Sequence, residues 1–140
     1  MKSIFLCNKK DNVEKVYAES FDKLPEVEKK IYTSAEVIAE PDKFTEVEYI
    51  FSTWGMPQFS EEEIKRYLPN LKAVFYGAGS VQSFAKEFLN CGVKVFSAWA
   101  ANAVPVAEYT VAQIVLANKG FFKTQRFTNM GESLKVYHQH

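Results

Sequence analysis

The chain has 140 residues, 47% of them hydrophobic and 15% aromatic, enough for one domain with a substantial core. Its 17 basic and 17 acidic side chains cancel, and no basic stripe runs through it, so nucleic acid and anionic membrane are excluded as expected partners. Met1-Lys2-Ser3 leads directly into Ile4-Phe5-Leu6-Cys7, too short for a signal peptide, no apolar run is expected to span a bilayer, and the expected setting is cytoplasmic.

In chain order, Ser3 to Asn8 is a short apolar run with polar flanks, the pattern of a buried strand. Val13, Val16, Tyr17 and Phe21 recur at helical spacing, which predicts a helix over Asn12 to Lys23, ended by Pro25. Glu28 to Thr33 is a weaker strand candidate. Ser34 to Thr45, broken by Pro41, predicts a loop with a short helix at most. Val47 to Thr53 predicts a strand with Val47, Tyr49, Ile50 and Phe51 buried. Ser60-Glu61-Glu62-Glu63 is a capping box, opening a helix that Pro69 stops near Leu68.

Leu71 to Tyr76 is nearly continuous in apolar residues, as in the middle of a parallel sheet. Gly77-Ala78-Gly79 forms the turn after it, and Ser80 is expected to cap a helix carrying Val81, Phe84, Ala85, Phe88 and Leu89, closed by Gly92. Val93 to Ala98 predicts a fifth strand. Then comes a helix with Asn102 as its cap and Pro105 in its first turn, apolar on almost every side as far as Ala117. A helix of that kind wants protein all around it, so the Val104–Ala117 stretch is expected to lie between two bodies or to drive self-association. Residues 1–118 are expected to form one domain that includes this helix, with 119–140 as a helix extension and tail.

Five alternations of strand and helix at βαβ spacing predict an α/β fold, a flavodoxin-like, doubly wound parallel sheet in the order 2-1-3-4-5. In such sheets ligands bind beyond the carboxyl ends of the strands. The Gly77–Ser80 turn there could bring bare backbone amides and a helix N-terminus to a carboxylate or phosphate; equally, its glycines could simply serve positive φ angles. Trp54 and Met56, after the third strand, could wall a small ligand or merely pack. Glu108 is either a buried acid or a first-turn complement to the helix dipole. His138 and His140 read as a solvated tail rather than a metal site, Arg66 as surface and Arg126 as tail. Cys7 and Cys91 read as buried free thiols. The strand ends carry Asn8, Trp54 and Gly77, not the acidic cluster of a phospho-acceptor receiver domain.

Leu68 to Ser80, Phe88 to Val95 and Ala101-Asn102-Ala103-Val104-Pro105-Val106-Ala107-Glu108 occur in the order and spacing of one family. The stretch from Val47 to Gly120 resembles the D-isomer-specific 2-hydroxyacid dehydrogenases, the last segment matching their "NAxxVAE" signature and Phe51 to Pro57 the corresponding loop of one subgroup. The resemblance implies a two-domain enzyme that interconverts 2-hydroxy and 2-keto acids with NAD or NADP, its flavodoxin-like substrate domain closing on a Rossmann domain. By that resemblance the amides of Ala78 and Gly79 hold the substrate carboxylate with Ser80 adjacent. Trp54 and Met56 line the substrate side, and Asn102 and Val106 face the nicotinamide. Where family members carry Asp and Asn after the glycine turn, this chain has Val81-Gln82. The chain lacks the Gly-x-Gly-x-x-Gly turn of the cofactor domain and any match to the family's catalytic Arg, Glu and His. The expectation is therefore a substrate-binding part, inactive alone, with no cofactor bound to it. The alternative is a flavodoxin-like binding or interaction module without catalysis.

Overall fold

Five short strands align in parallel in the order β2-β1-β3-β4-β5: β1 (Ser3–Leu6), β2 (Glu28–Tyr32), β3 (Tyr49–Ser52), β4 (Ala73–Tyr76) and β5 (Lys94–Ser97). This is the predicted fold, seen in a computed structural model that describes residues 2–125. Arg126, His138, His140 and the predicted tail lie outside the described residues. The chain divides into two compact units, Met1–Asn102 and Ala103–His140.

Strand alternation gives the sheet two unlike faces. On one side Ile4, Leu6, Ile50, Val74 and Tyr76 meet Val37, Ile64, Leu68, Phe84 and Phe88, all buried, from α2 (Ser34–Ala39), α3 (Glu61–Tyr67), α4 (Ala85–Asn90) and their flanks. On the other, α1 (Lys10–Tyr17) covers a smaller cluster of Phe5, Cys7, Val13, Val27 and Ile31. There the register aligns Phe5, Phe51, Phe75 and Phe96 in one row across β1, β3, β4 and β5. The last three rings stack at 5.1 and 5.2 Å between centroids. Phe5 is sealed, whereas Phe96 is 50% exposed.

Two helices are shorter than predicted. α1 stops at Tyr17, whose carbonyl accepts from both Ser20 and Phe21 N–H; the tightened turn lays Phe21 on Phe5, with ring centroids 4.8 Å apart. α4 begins at Ala85 because Phe84 and Ala85 N–H both donate to Val81 O, a turn that places Phe84 against Tyr76. Ser80 therefore caps nothing. The uncertain Ser34–Thr45 stretch holds α2 and a 3-10 turn (Pro41–Phe44), and α2 has a capping box that pairs Thr33 with Glu36. Ser60 and Glu63 form the predicted box on α3.

α5 (Trp99–Asn118) starts four residues earlier than predicted. Asn102 N–H already donates to Ala98 O within it, so Asn102 is not its cap, and Pro105 stands inside the helix rather than in its first turn. Glu108 is exposed at mid-helix, which makes it neither a buried acid nor a dipole complement. In the second unit no residue from Ala103 to Asn118 is buried; Val106, Tyr109, Val111 and Ile114 stand well exposed, and Gly120, left-handed at φ 69, ends the helix before α6 (Phe121–Thr124). By length and composition α5 is apolar enough to cross a membrane, which corrects the expectation that no stretch is. Glu108 at its midpoint would cost about 3 kcal/mol in hydrocarbon.

Glu36 ties the β2 edge to α2. Partial burial alone would raise its pKa, but the Thr33 N–H and hydroxyl, with Lys30 and Lys10 at 3.1 and 3.2 Å, outweigh that and hold it at about 2. A depressed carboxyl stabilises the fold above its unfolded value, and the contribution fades as pH falls toward 2. Glu36→Ala is expected to cost about 1 kcal/mol at neutral pH, mostly as a lost cap. Urea unfolding from pH 7 to pH 2 should find the gap between variant and native protein closing with acid.

Candidate functional site at the carboxyl rim of the sheet

Parallel strands deliver all their carboxyl ends to one rim, where the backbone can no longer rely on ladder partners. Neighbouring loops take up some of the load: Gly77 N–H donates to Ser52 O at 2.8 Å, Ala98 N–H to Tyr76 O at 3.0 Å, and Asn8 N–H to Gly55 O at 2.9 Å. Side-chain hydroxyls take up more. Buried Ser52 donates to Leu6 O at 2.5 Å. Tyr17 reaches Ser52 O at 2.9 Å and Phe75 O at 3.3 Å, and burial pushes its pKa up to about 12, so it remains a donor throughout the neutral range. The rim thus fixes where the turn after β4 sits.

That turn differs from the prediction in an instructive way. Neither Gly77 nor Gly79 has a positive φ, and no helix N-terminus follows it. The glycines serve close approach instead. A Cβ on Gly77 would lie 3.0 Å from Tyr17 Oη and from Val16 Cγ1; one on Gly79 would lie 3.0 Å from Asn102 Nδ2. Ala78 is completely buried in the main core, whereas Ser80 is exposed. Ser97, which pairs with Tyr76 in register, directs its hydroxyl at Ala78 O (3.0 Å) and Gly79 O (2.5 Å). Among the described residues neither Gly79 nor Ser80 N–H donates to a protein acceptor. The Ala78 N–H likewise donates to no protein acceptor among the described residues, so three successive backbone donors remain available for an outside anion.

The other predicted site residues of the first unit lie around the same rim. Trp54, half exposed, follows β3; its carbonyl accepts from Asn12 Nδ2 at 2.6 Å and from the Cys7 thiol at 3.4 Å. Met56 is half-buried and packs against the main core, its N–H on Thr53 O, so for Met56 the packing role is realised. Asn102 is half-buried against Gly79. Val106 is exposed in the second unit. Cys7 and Cys91 are both free; burial pushes the Cys7 thiol up, and Cys91 is only half-buried. Sequence reasoning missed Tyr17, Ser97 and Thr53, whose buried Oγ1 finds no partner among the described residues. Beside the turn a groove of about 340 Å³ is lined by Tyr17, Phe51, Phe75, Gly77, Phe96 and Ser97. Among the described residues no cluster of His, Cys, Asp or Glu could hold a metal. Nor, among the described residues, does a glycine-rich turn lead straight from a strand into a helix.

The two glycines should respond differently to a methyl group. Gly77→Ala presses on a helix residue and a doubly hydrogen-bonded tyrosine, and is expected to cost about 1–3 kcal/mol. Gly79→Ala meets only the end of the Asn102 side chain and should leave thermal stability nearly unchanged while shifting the Asn102 side-chain amide signals. Calorimetry and NMR spectra of both variants check this.

Neither a protein-family profile nor a curated protein matches the sequence. Solved structures do resemble it. An NAD-dependent formate dehydrogenase from Staphylococcus aureus matches with a TM-score of 0.59 and 16% identity, over 90% of this chain and 39% of that one. A glyoxylate reductase from Paecilomyes thermophila matches at 0.57 and 11%, over 86% and 39%. A phosphoglycerate oxidoreductase from Vibrio cholerae o395 matches at 0.52 and 20%, over 85% and 38%. At such identities the likeness is one of fold, and the chain spans about two fifths of each of these structures.

Proposed function

We propose that this chain is the acid-holding part of an NAD- or NADP-dependent D-2-hydroxyacid dehydrogenase. The observation that carries the proposal is the turn after β4, which presents the unpaired N–H groups of Gly79 and Ser80 beside Asn102, within the motif order that resembles that family. Two aligned amides favour a carboxylate, since charge-assisted bonds to an oxyanion are stronger than neutral ones. The substrate class is a small 2-hydroxy or 2-keto acid. The amides of Ala78 and Gly79, with that of Ser80 adjacent, grip its carboxylate, and Trp54, with Met56 behind it, shapes the apolar side. The solved structures with this fold are named as a dehydrogenase, a reductase and an oxidoreductase, which supports the same chemistry.

Hydride transfer needs a nicotinamide and a positioned acid–base group. In this proposal both belong to a separate Rossmann domain, toward which Asn102 and Val106 face, and NADH with a keto acid should give no turnover on this chain alone. Free Cys7 and Cys91 suit a reducing, cytoplasmic setting. The test of the site is a titration of the labelled protein with pyruvate and glyoxylate. Saturable shifts at the Gly79 and Ser80 amides are expected; unmoved signals at high millimolar acid would dismiss the proposal.

The apolar α5 is proposed to bind a protein surface, and without that domain, a second copy of itself. Sedimentation velocity should show mass rising with concentration. A Val111→Asp, Ile114→Asp double variant should stay monomeric, and an unchanged mass distribution in that variant would exclude α5 as the interface.

A further inference from the structure

We infer that Ser97 is a positioning residue that aims the acid-binding amides of the turn after β4. The inference rests on the carboxylate site proposed above. In a trans peptide the carbonyl and the N–H of one unit point in opposite directions. The Ser97 hydroxyl holds the carbonyls of Ala78 and Gly79, at 3.0 and 2.5 Å. Those carbonyls belong to the same two peptide units as the N–H groups of Gly79 and Ser80. Anchoring the oxygens toward β5 therefore turns both N–H groups the other way, out of the turn and toward a ligand.

Little else in the turn does this. Gly77 is fixed from behind by Tyr17 and Val16, and Gly79 is flanked by the Asn102 amide, but neither contact engages the Ala78 or Gly79 carbonyl. The serine stands at the last residue of β5, paired in register with Tyr76, so its hydroxyl is delivered by the sheet rather than by a mobile loop. A single hydroxyl shared by two consecutive carbonyls sets the planes of both units together. The geometry also makes a chemical demand on the residue type. A β-hydroxyl is needed at position 97, so threonine can replace serine, whereas alanine of similar size cannot.

Ser97→Ala and Ser97→Thr, titrated with pyruvate alongside the native protein, test this by following the Gly79 and Ser80 amides. The expectation is that Ser97→Ala binds pyruvate about tenfold more weakly, roughly the loss of one positioning hydrogen bond, while Ser97→Thr binds within about twofold of native. The Ala78 and Gly79 carbonyl ¹³C signals should shift in the ligand-free alanine variant and return in the threonine variant. Titration with pyruvamide, which lacks the carboxylate, should show no difference among the three proteins. Equal pyruvate affinity in Ser97→Ala and native protein would overturn the role of Ser97 while leaving the site intact. No response in the native protein would instead overturn the site itself, and the role of Ser97 with it.

Discussion

The rim of this sheet is governed by one requirement: buried carbonyls at strand ends must find donors. Parallel strands stop together, so the demand is concentrated at one edge of the molecule. The chain meets it with three hydroxyls in addition to loop amides. Ser52 serves Leu6, Tyr17 serves Ser52 and Phe75, and Ser97 serves Ala78 and Gly79. Each hydroxyl comes from a residue of a strand or helix rather than of a loop. What is left over is equally important, since the Ala78, Gly79 and Ser80 amides of the same turn have no protein partner among the described residues. A fully satisfied rim would bind nothing.

The two faces of the sheet divide the remaining work. The α2–α3–α4 side is a dry core in which aliphatic and aromatic side chains interlock, and it sets the order and register of the strands. The α1 side is aromatic and only partly covered, and it carries Tyr17 to the rim. Stability and site construction are thereby assigned to different layers. Substitutions in the first layer alter the fold as a whole, whereas those around Tyr17 and Ser97 alter what the turn presents.

The strand order was legible in the residues because each strand is a short apolar run bounded by turn formers, and five such runs at βαβ spacing have few parallel arrangements. The capping box at Ser60 was equally plain, being a purely local pattern. Helix starts were less so. Ser80 and Asn102 are both good caps by type, yet the helices start elsewhere: packing of Phe84 on Tyr76 sets the start of α4, and α5 winds from Trp99 without burying a residue. The glycine turn was legible as a site but not in its mechanism. The two glycines make room for Tyr17 and Asn102, and those neighbours lie 60 and 23 residues away in sequence, beyond any local pattern. The loop from Ser97 to Asn102 was legible as one of the ligand-facing loops, but the role of Ser97 was not, because nothing about a serine ending a strand announces that two carbonyls 18 and 19 residues earlier will lie across from it.

The row of phenylalanines across the sheet is graded, sealed at Phe5 and half bare at Phe96. Stacked rings hold neighbouring strands together only as firmly as water is kept from them, so cohesion falls off from β1 toward β5. Fluctuations that separate strands will therefore begin at the β5 margin and travel inward. Deuterium should enter the amides of β5 first and those of β1 last, and the serine that aims the turn rides on the strand that loosens soonest.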